Sequence, residues 1–141
     1  MEDISKNIIC TSLSIKRFID SVIDSFSLKG SQGRILKFVE ENESVTASEI
    51  EEYFNLTKAT VSDHINALEV LGYIKRTTDK VDARKKIIIL TDEGKIISNK
   101  IKERLSDYNK NISSILSEEE KETLNNLLKK VNQKIKEEGH V

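Results

Sequence analysis

The stretch from Val45 to Gly94 constrains the fold more than any other: VTASEIEEYFNLTKATVSDHINALEVLGYIKRTTDKVDARKKIIILTDEG reads as two short helices, a turn and a basic β-hairpin. Thr46 followed by Glu49 is a capping box, in which side chains satisfy the free backbone N–H groups of a first helical turn. The helix it opens is expected to bury Ile50 and Phe54. It should stop near Asn55, a residue that tolerates the left-handed geometry of a helix end. Thr57 caps a second helix whose apolar positions Val61, Ile65, Leu68 and Leu71 form one buried stripe. Gly72 stands where that helix should be capped.

The face opposite the stripe carries the functional signal. At about 100° per residue, Ala59, Asp63 and Asn66 point outward, with Thr60 and Ser62 beside them. These groups are small or polar, and none blocks a close approach. A solvated helix more usually carries Lys/Glu pairs there. Such a surface suits the base edges of a DNA major groove, which admits a helix and offers donors and acceptors. Taken alone, the helix could equally be a plain amphipathic surface helix.

The hairpin tips the balance. Tyr73–Arg76 and Lys86–Leu90 are β-prone runs joined by the polar loop TTDKVDAR. Between Thr57 and Leu90 lie seven basic residues (Lys58, Lys75, Arg76, Lys80, Arg84, Lys85, Lys86) and four acidic ones (Asp63, Glu69, Asp79, Asp82), an excess of three positive charges in a chain whose net charge is −1. Positive charge is thus concentrated where a phosphate backbone would lie, and the hairpin reads as a wing beside a recognition helix.

Long apolar-striped segments flank this module. Ile4 to Phe26 carries Ile8, Ile15, Ile19, Val22, Ile23 and Phe26 at helical spacing, and Ser27–Gly30 breaks it. A helix from Ser31 turns Ile35, Leu36 and Val39 inward. After the hairpin, Thr91 caps a helix with the near-heptad stripe Ile97, Ile101, Leu105, Tyr108, Ile112 and Ile115. Ser117 and Glu120 form a second capping box, opening a helix expected to bury Leu124, Leu127, Leu128, Val131 and Ile135 before the tail EEGHV frays. The chain has no proline, which suits long uninterrupted helices. Both flanks have more apolar surface than one neighbouring element needs. They are expected to pack together and against a second copy, a two-fold dimer that would present two recognition helices to a palindromic site. An intrachain bundle is the alternative.

Other function classes lack their residues. No apolar run is long enough to span a membrane and no signal peptide is evident, so a cytoplasmic protein without membrane partners is expected. The single cysteine, Cys10, excludes an internal disulfide and a paired-cysteine zinc finger. The only histidines are His64, read as flanking the core near Leu68 and Leu71, and His140 in the tail, so no metal site is expected. There is no phosphate-cradling glycine loop and no nucleophile–base pattern. The chain is therefore not expected to be an enzyme or to hold a cofactor.

Four motifs in register resemble the MarR-type (multiple antibiotic resistance regulator) winged-helix transcription factors over nearly the whole chain. LKGSQGRIL (Leu28–Leu36) resembles the family's entry to its second helix, with Lys29 replacing the usual Thr. LTKATVSDHINALEVLGYIKR (Leu56–Arg76) resembles its recognition segment. DKVDARKKIIILTDEG (Asp79–Gly94) resembles its Asp-Pro-x-Asp-x-Arg wing, and LSEEE (Leu116–Glu120) the start of its last helix. In the wing, Lys80 stands where Pro is common and Ala83 where a second Arg is common, which implies a more mobile tip and a weaker minor-groove grip.

The resemblance implies a mainly α fold with a small β-hairpin wing: a winged helix-turn-helix flanked by long dimerisation helices, in the order α-α-β-α-α-β-wing-β-α-α, with a very short strand near Ser44–Val45. It implies a dimerisation helix at 1–26, a DNA-binding module at 27–92 and dimerisation helices at 93–141. It further implies a homodimer on double-stranded palindromic operator DNA, acting as a repressor released by a small-molecule effector. The DNA-facing set is expected to be Thr57, Lys58, Thr60, Ser62, Asp63 and Asn66 on the helix, with Lys80, Asp82, Arg84 and Lys85 on the wing. Asp82 is expected to orient Arg84, to brace the turn, or to pair with Arg76.

Aromatic residues are only 5% of the chain, so an aromatic effector pocket would rely on Phe18, Phe26, Phe38 or Tyr108. Some family members sense peroxide through an N-terminal cysteine activated by tyrosines. Here Tyr53, Tyr73 and Tyr108 all lie outside the first helix, and Cys10 is expected to be a buried, inert thiol. The competing function is a winged-helix module that binds protein, or a regulator that only heterodimerises. A non-basic wing and a bulky apolar recognition face would mark it, and this sequence has neither.

Overall fold

Five of the six helices start where a side-chain oxygen takes a free backbone N–H of the first turn. In a computed structural model describing residues 3–139, the six helices are α1 (Ile4–Asp24), α2 (Gly30–Asn42), α3 (Ala47–Phe54), α4 (Lys58–Val70), α5 (Asp92–Ser113) and α6 (Glu118–Glu137). Asp3, Thr46, Thr57, Thr91 and Ser117 accept from the N–H groups of Ser5, Glu49, Thr60, Gly94 and Glu120 respectively. The exception is α2, whose entry has Lys29 in place of a hydroxyl residue. There Gln32 supplies the return bond, its Oε1 accepting from the Lys29 N–H at 2.9 Å.

Strands β1 (Ile74–Thr78) and β2 (Lys86–Leu90) pair antiparallel, with Ile74 opposite Leu90 and Thr78 opposite Lys86. The first strand runs two residues further than its sequence suggests, because Thr77 and Thr78 stay in register and the turn begins only at Asp79. Near Ser44–Val45 the expected strand is a single bridge, Val45 to Ile88, closed by two backbone hydrogen bonds of 3.1 and 2.7 Å. Glu43, at φ 62°, turns the chain into it.

Two compact units divide the chain, Met1–Arg104 and Leu105–Val141. The first holds the core: Val22 and Ile23 of α1, Ile35, Leu36 and Val39 of α2, Ile50 of α3, Val61, Ile65 and Leu68 of α4, and Ile74, Ile88 and Leu90 of the hairpin. The first half of α5 is tied to this core by polar contacts. Ser98 donates to Glu40 at 2.6 Å, and Arg104 lies over the Phe26 ring while donating to Ser25. Gly94 lets α5 start hard against the hairpin, since a Cβ there would lie 1.9 Å from the Tyr73 carbonyl oxygen.

The second unit is the α5 end and α6. No residue of α6 is buried.

Several expectations are corrected. Helix α1 ends at Asp24, two residues before Phe26, because Ser25 and Ser27 close the turn and Ser27 takes φ 62°. Leu71 is 42% exposed, because it is the C-cap of α4 and lies past the last buried turn at Leu68. Phe54 is only half-buried, stacked edge-on against Phe38 and Tyr53. Helix α5 ends at Ser113, so Ile115 lies beyond it and is exposed, as is Ile112. Leu124, Leu127 and Leu128 are 46%, 54% and 43% exposed and Ile135 is exposed too, because no described residue covers that stripe. Cys10 is exposed, since the first turns of α1 lie beyond the core residues Val22 and Ile23. Of the tail, Glu137 ends α6, and His140 lies outside the described residues.

Candidate nucleic-acid interface

The turn that sets up the interface is made by Asn55, in the left-handed region at φ 51° and ψ 51°. It ends α3 and lets Leu56 and Thr57 lead at once into α4. Thr57 then works twice: its Oγ1 accepts from the Thr60 N–H at 3.2 Å and lies 2.9 Å from the Thr60 hydroxyl. Burying Val61, Ile65 and Leu68 leaves the opposite face of α4 to solvent. Lys58, Ala59, Ser62, Asp63 and Asn66 are exposed on it, Thr60 and His64 half-buried. At the other end, Gly72 at φ 82° closes α4 and directs the chain into β1.

The wing tip is built around two aspartates. Asp79 Oδ1 accepts from the Val81 N–H at 2.9 Å, and Asp82 Oδ1 from the Arg84 N–H at 3.0 Å. Backbone bonds from Asp79 to Lys85 and from Lys85 to Asp82 close the loop. So Asp82 braces the turn, and Ala83 and Lys80 sit in a loop that is internally hydrogen-bonded. Lys80, Arg84 and Lys85 are exposed along it. Among the described residues, no salt bridge involves Lys58, Lys80, Arg84 or Lys85. Their charge is available to an anionic partner.

Arg76 does not pair with Asp82. Its guanidinium reaches back from β1 to α4, with Nε 2.9 Å from Glu69 and an NH2 group donating to Asn66 Oδ1. It lies mid-way along β1, the strand that packs on α4, so its guanidinium meets Glu69 on the helix and not Asp82 at the wing tip. The contact was legible in part: Asn66 and Glu69 lie three apart on one helix face, and a tight turn brings the next strand back beside them.

Beside α4 lies a shallow, open surface groove lined by Leu28, Gln32, Asn66, Ala67, Val70 and Leu71 among others. None of the lining side chains is aromatic; Phe38, one of the expected contributors, is stacked on Tyr53 with ring centroids 4.4 Å apart. No group of three His, Cys, Asp or Glu side chains among the described residues could hold a metal ion, and no described helix is long and apolar enough to cross a membrane.

The comparisons with known proteins agree with this geometry. The sequence profile of the MarR family matches residues 26–85, which run from the end of α1 to the wing. The HTH-type transcriptional regulator PecS of Dickeya dadantii is 30% identical over 123 residues, covering 85% of this chain and 74% of PecS. PrsX of Escherichia coli, also an HTH-type transcriptional regulator, is 32% identical over 94 residues; the match takes in 67% of this chain but only 57% of PrsX. Among solved structures, MepR of Staphylococcus aureus, a transcription regulator of the multidrug efflux pump MepA, superposes with a TM-score of 0.80 at 25% identity, over 95% of this chain and 99% of MepR. A MepR mutant solved on an oligodeoxyribonucleotide superposes with a TM-score of 0.68 at 25% identity, over 96% of this chain and 99% of the other.

Proposed function

This chain belongs to the MarR family of DNA-binding transcriptional regulators, and from that premise we propose that it acts as a homodimeric repressor of a palindromic operator, released by a small ligand. The observation that carries the proposal is the pairing of an exposed polar face on α4 with a braced wing whose Lys80, Arg84 and Lys85 take part in no salt bridge among the described residues. The helix face offers hydrogen-bonding groups of the kind that base edges take in the major groove. The wing offers charge to the backbone and, in Arg84, a long planar cation for the minor groove. In this reading Thr57, Lys58, Thr60, Ser62, Asp63 and Asn66 meet the major groove, and Lys80, Asp82, Arg84 and Lys85 form the wing contact.

The dimer is supported by what the single chain leaves uncovered. Ile4, Ile9 and Leu13 of α1, and Ile112, Leu124, Leu127 and Leu128 of the C-terminal helices, are exposed. Apolar stripes of this length are covered in a stable protein, and a second copy is the economical cover. Residues 1–26 and 93–141 would then serve dimerisation, and 27–92 the DNA.

An open groove beside α4 supports the release reading. A small molecule between Leu28 and Val70 would touch α4 from the side away from its cap, and shifting that helix would change the spacing of the two recognition faces. An occupied operator excludes other proteins, so binding would repress and release would induce.

Selection from a random DNA pool tests the central assignment. The wild type should enrich an inverted repeat, and Asp63→Ala and Asn66→Ala should each alter the preferred base at one position per half-site. Identical preferences for all three proteins would mean that α4 does not read bases.

A further inference from the structure

Asn66 is the one side-chain amide in the set assigned to DNA, and it is already engaged: the Arg76 guanidinium donates to its Oδ1, while the same guanidinium is anchored by Glu69, Nε to Oε1, at 2.9 Å. Glu69 and Asn66 lie three apart on α4 and Arg76 comes from β1, so the hairpin and the helix are joined by one three-membered clamp. A guanidinium has five donors and no acceptor, which fixes the amide: the atom facing Arg76 must be the oxygen, and Nδ2 is left to donate elsewhere. The ion pair also spends the charge of Arg76 internally, unlike that of Arg84 or Lys85.

We propose that Arg76 is a positioning residue that sets which base Asn66 reads. An unconstrained asparagine reads adenine with both amide atoms, accepting from N6 and donating to N7. Held by Arg76, Asn66 has one Oδ1 lone pair occupied and both Nδ2 hydrogens free; N7 of either purine and O4 of thymine can each take one such donor, but guanine presents two adjacent acceptors, N7 and O6. Adenine N6 is left the second Oδ1 lone pair, beside a positively charged donor that weakens it as an acceptor. The preference at that position is therefore shifted from adenine toward guanine by a residue that itself touches no base. Arg76 on the hairpin thus acts through the recognition helix and not through phosphate.

This inference rests on the reading of α4 as the base-contacting helix, and the test separates the two. Base preferences of the full-length wild type, Arg76→Met, Asn66→Ala and the double variant are measured by selection from a random duplex pool, alongside thermal melts. The expected result is that Asn66→Ala changes one position per half-site and that Arg76→Met moves the same position toward adenine by about tenfold, the scale of a single base contact. In the double variant the Arg76 change should add nothing at that position. Should Arg76→Met fail to fold, Glu69→Gln loosens the same clamp and should move the same position in the same direction. An Arg76→Met protein that folds and weakens all sequences equally, or leaves the position unchanged, overturns the positioning role while leaving the α4 reading intact. An Asn66→Ala protein with wild-type preferences overturns both.

Discussion

The carboxylate of Asp82 holds the backbone N–H of Arg84 at 3.0 Å, so the far side of the wing turn is fixed while the Arg84 side chain stays exposed. A long planar cation on a braced turn can enter a narrow, electronegative minor groove; a merely solvated one adds only general attraction. Arg84→Lys separates the two. The inserted fork predicts a large loss of affinity, greatest on operators with A·T-rich flanks. Arg84→Ala should lose more and make the salt dependence shallower by about one unit for each phosphate contact that leaves. Titrations on A·T- and G·C-flanked operators at several salt concentrations decide it, and wild-type binding by Arg84→Lys on both would rule the insertion out.

Asp82→Ala should act through the turn. It removes the acceptor for the Arg84 N–H but no cation, so affinity should fall without a change in the salt slope. A slope that falls along with the affinity would mean that Asp82 holds a phosphate-binding side chain and not only the backbone.

The module between Thr46 and Gly94 was legible because its signals are local. Caps at Thr46, Thr57 and Thr91, a left-handed Asn55 and a terminating Gly72 each state their geometry within four residues. What was not legible needed distance. Leu71 fits the stripe by period and is lost to it only because Gly72 ends the helix there. The exposure of Cys10 and of the α6 leucines follows from what is absent around them, and periodicity alone cannot show that. For Arg76 the sequence suggested Asp82; the fold of β1 against α4 gives it Glu69 instead.

Gly94 offers a stability test independent of DNA. A methyl group there would lie 1.9 Å from the Tyr73 carbonyl, and backbone cannot rotate away as a side chain can. Gly94→Ala should destabilise the fold by about 1–3 kcal/mol, the usual range for overpacking, and lower the melting temperature accordingly. An unchanged melt would mean that α5 starts elsewhere.

The start of α6 should respond to acid. The Ser117 backbone N–H, and secondarily its hydroxyl, hold the Glu120 carboxyl below its ordinary value of 4.5. A carboxyl with a lower pKa folded than unfolded stabilises the fold above its unfolded pKa, and that contribution fades as the pH falls through the lowered value. The wild type should therefore lose helix stability below about pH 4.5 more steeply than Glu120→Gln. Matching acid limbs in circular dichroism melts would contradict the capping role.

The most direct measurement is the stoichiometry of the DNA complex. Sedimentation of the wild type with its selected duplex should show two chains on one inverted repeat, and a dimer in free solution at tens of micromolar. Leu127→Glu, which puts a charge into the exposed α6 stripe, should give folded monomers with much weaker operator binding. A wild-type chain that is monomeric in solution and binds its operator one chain per duplex would contradict the account.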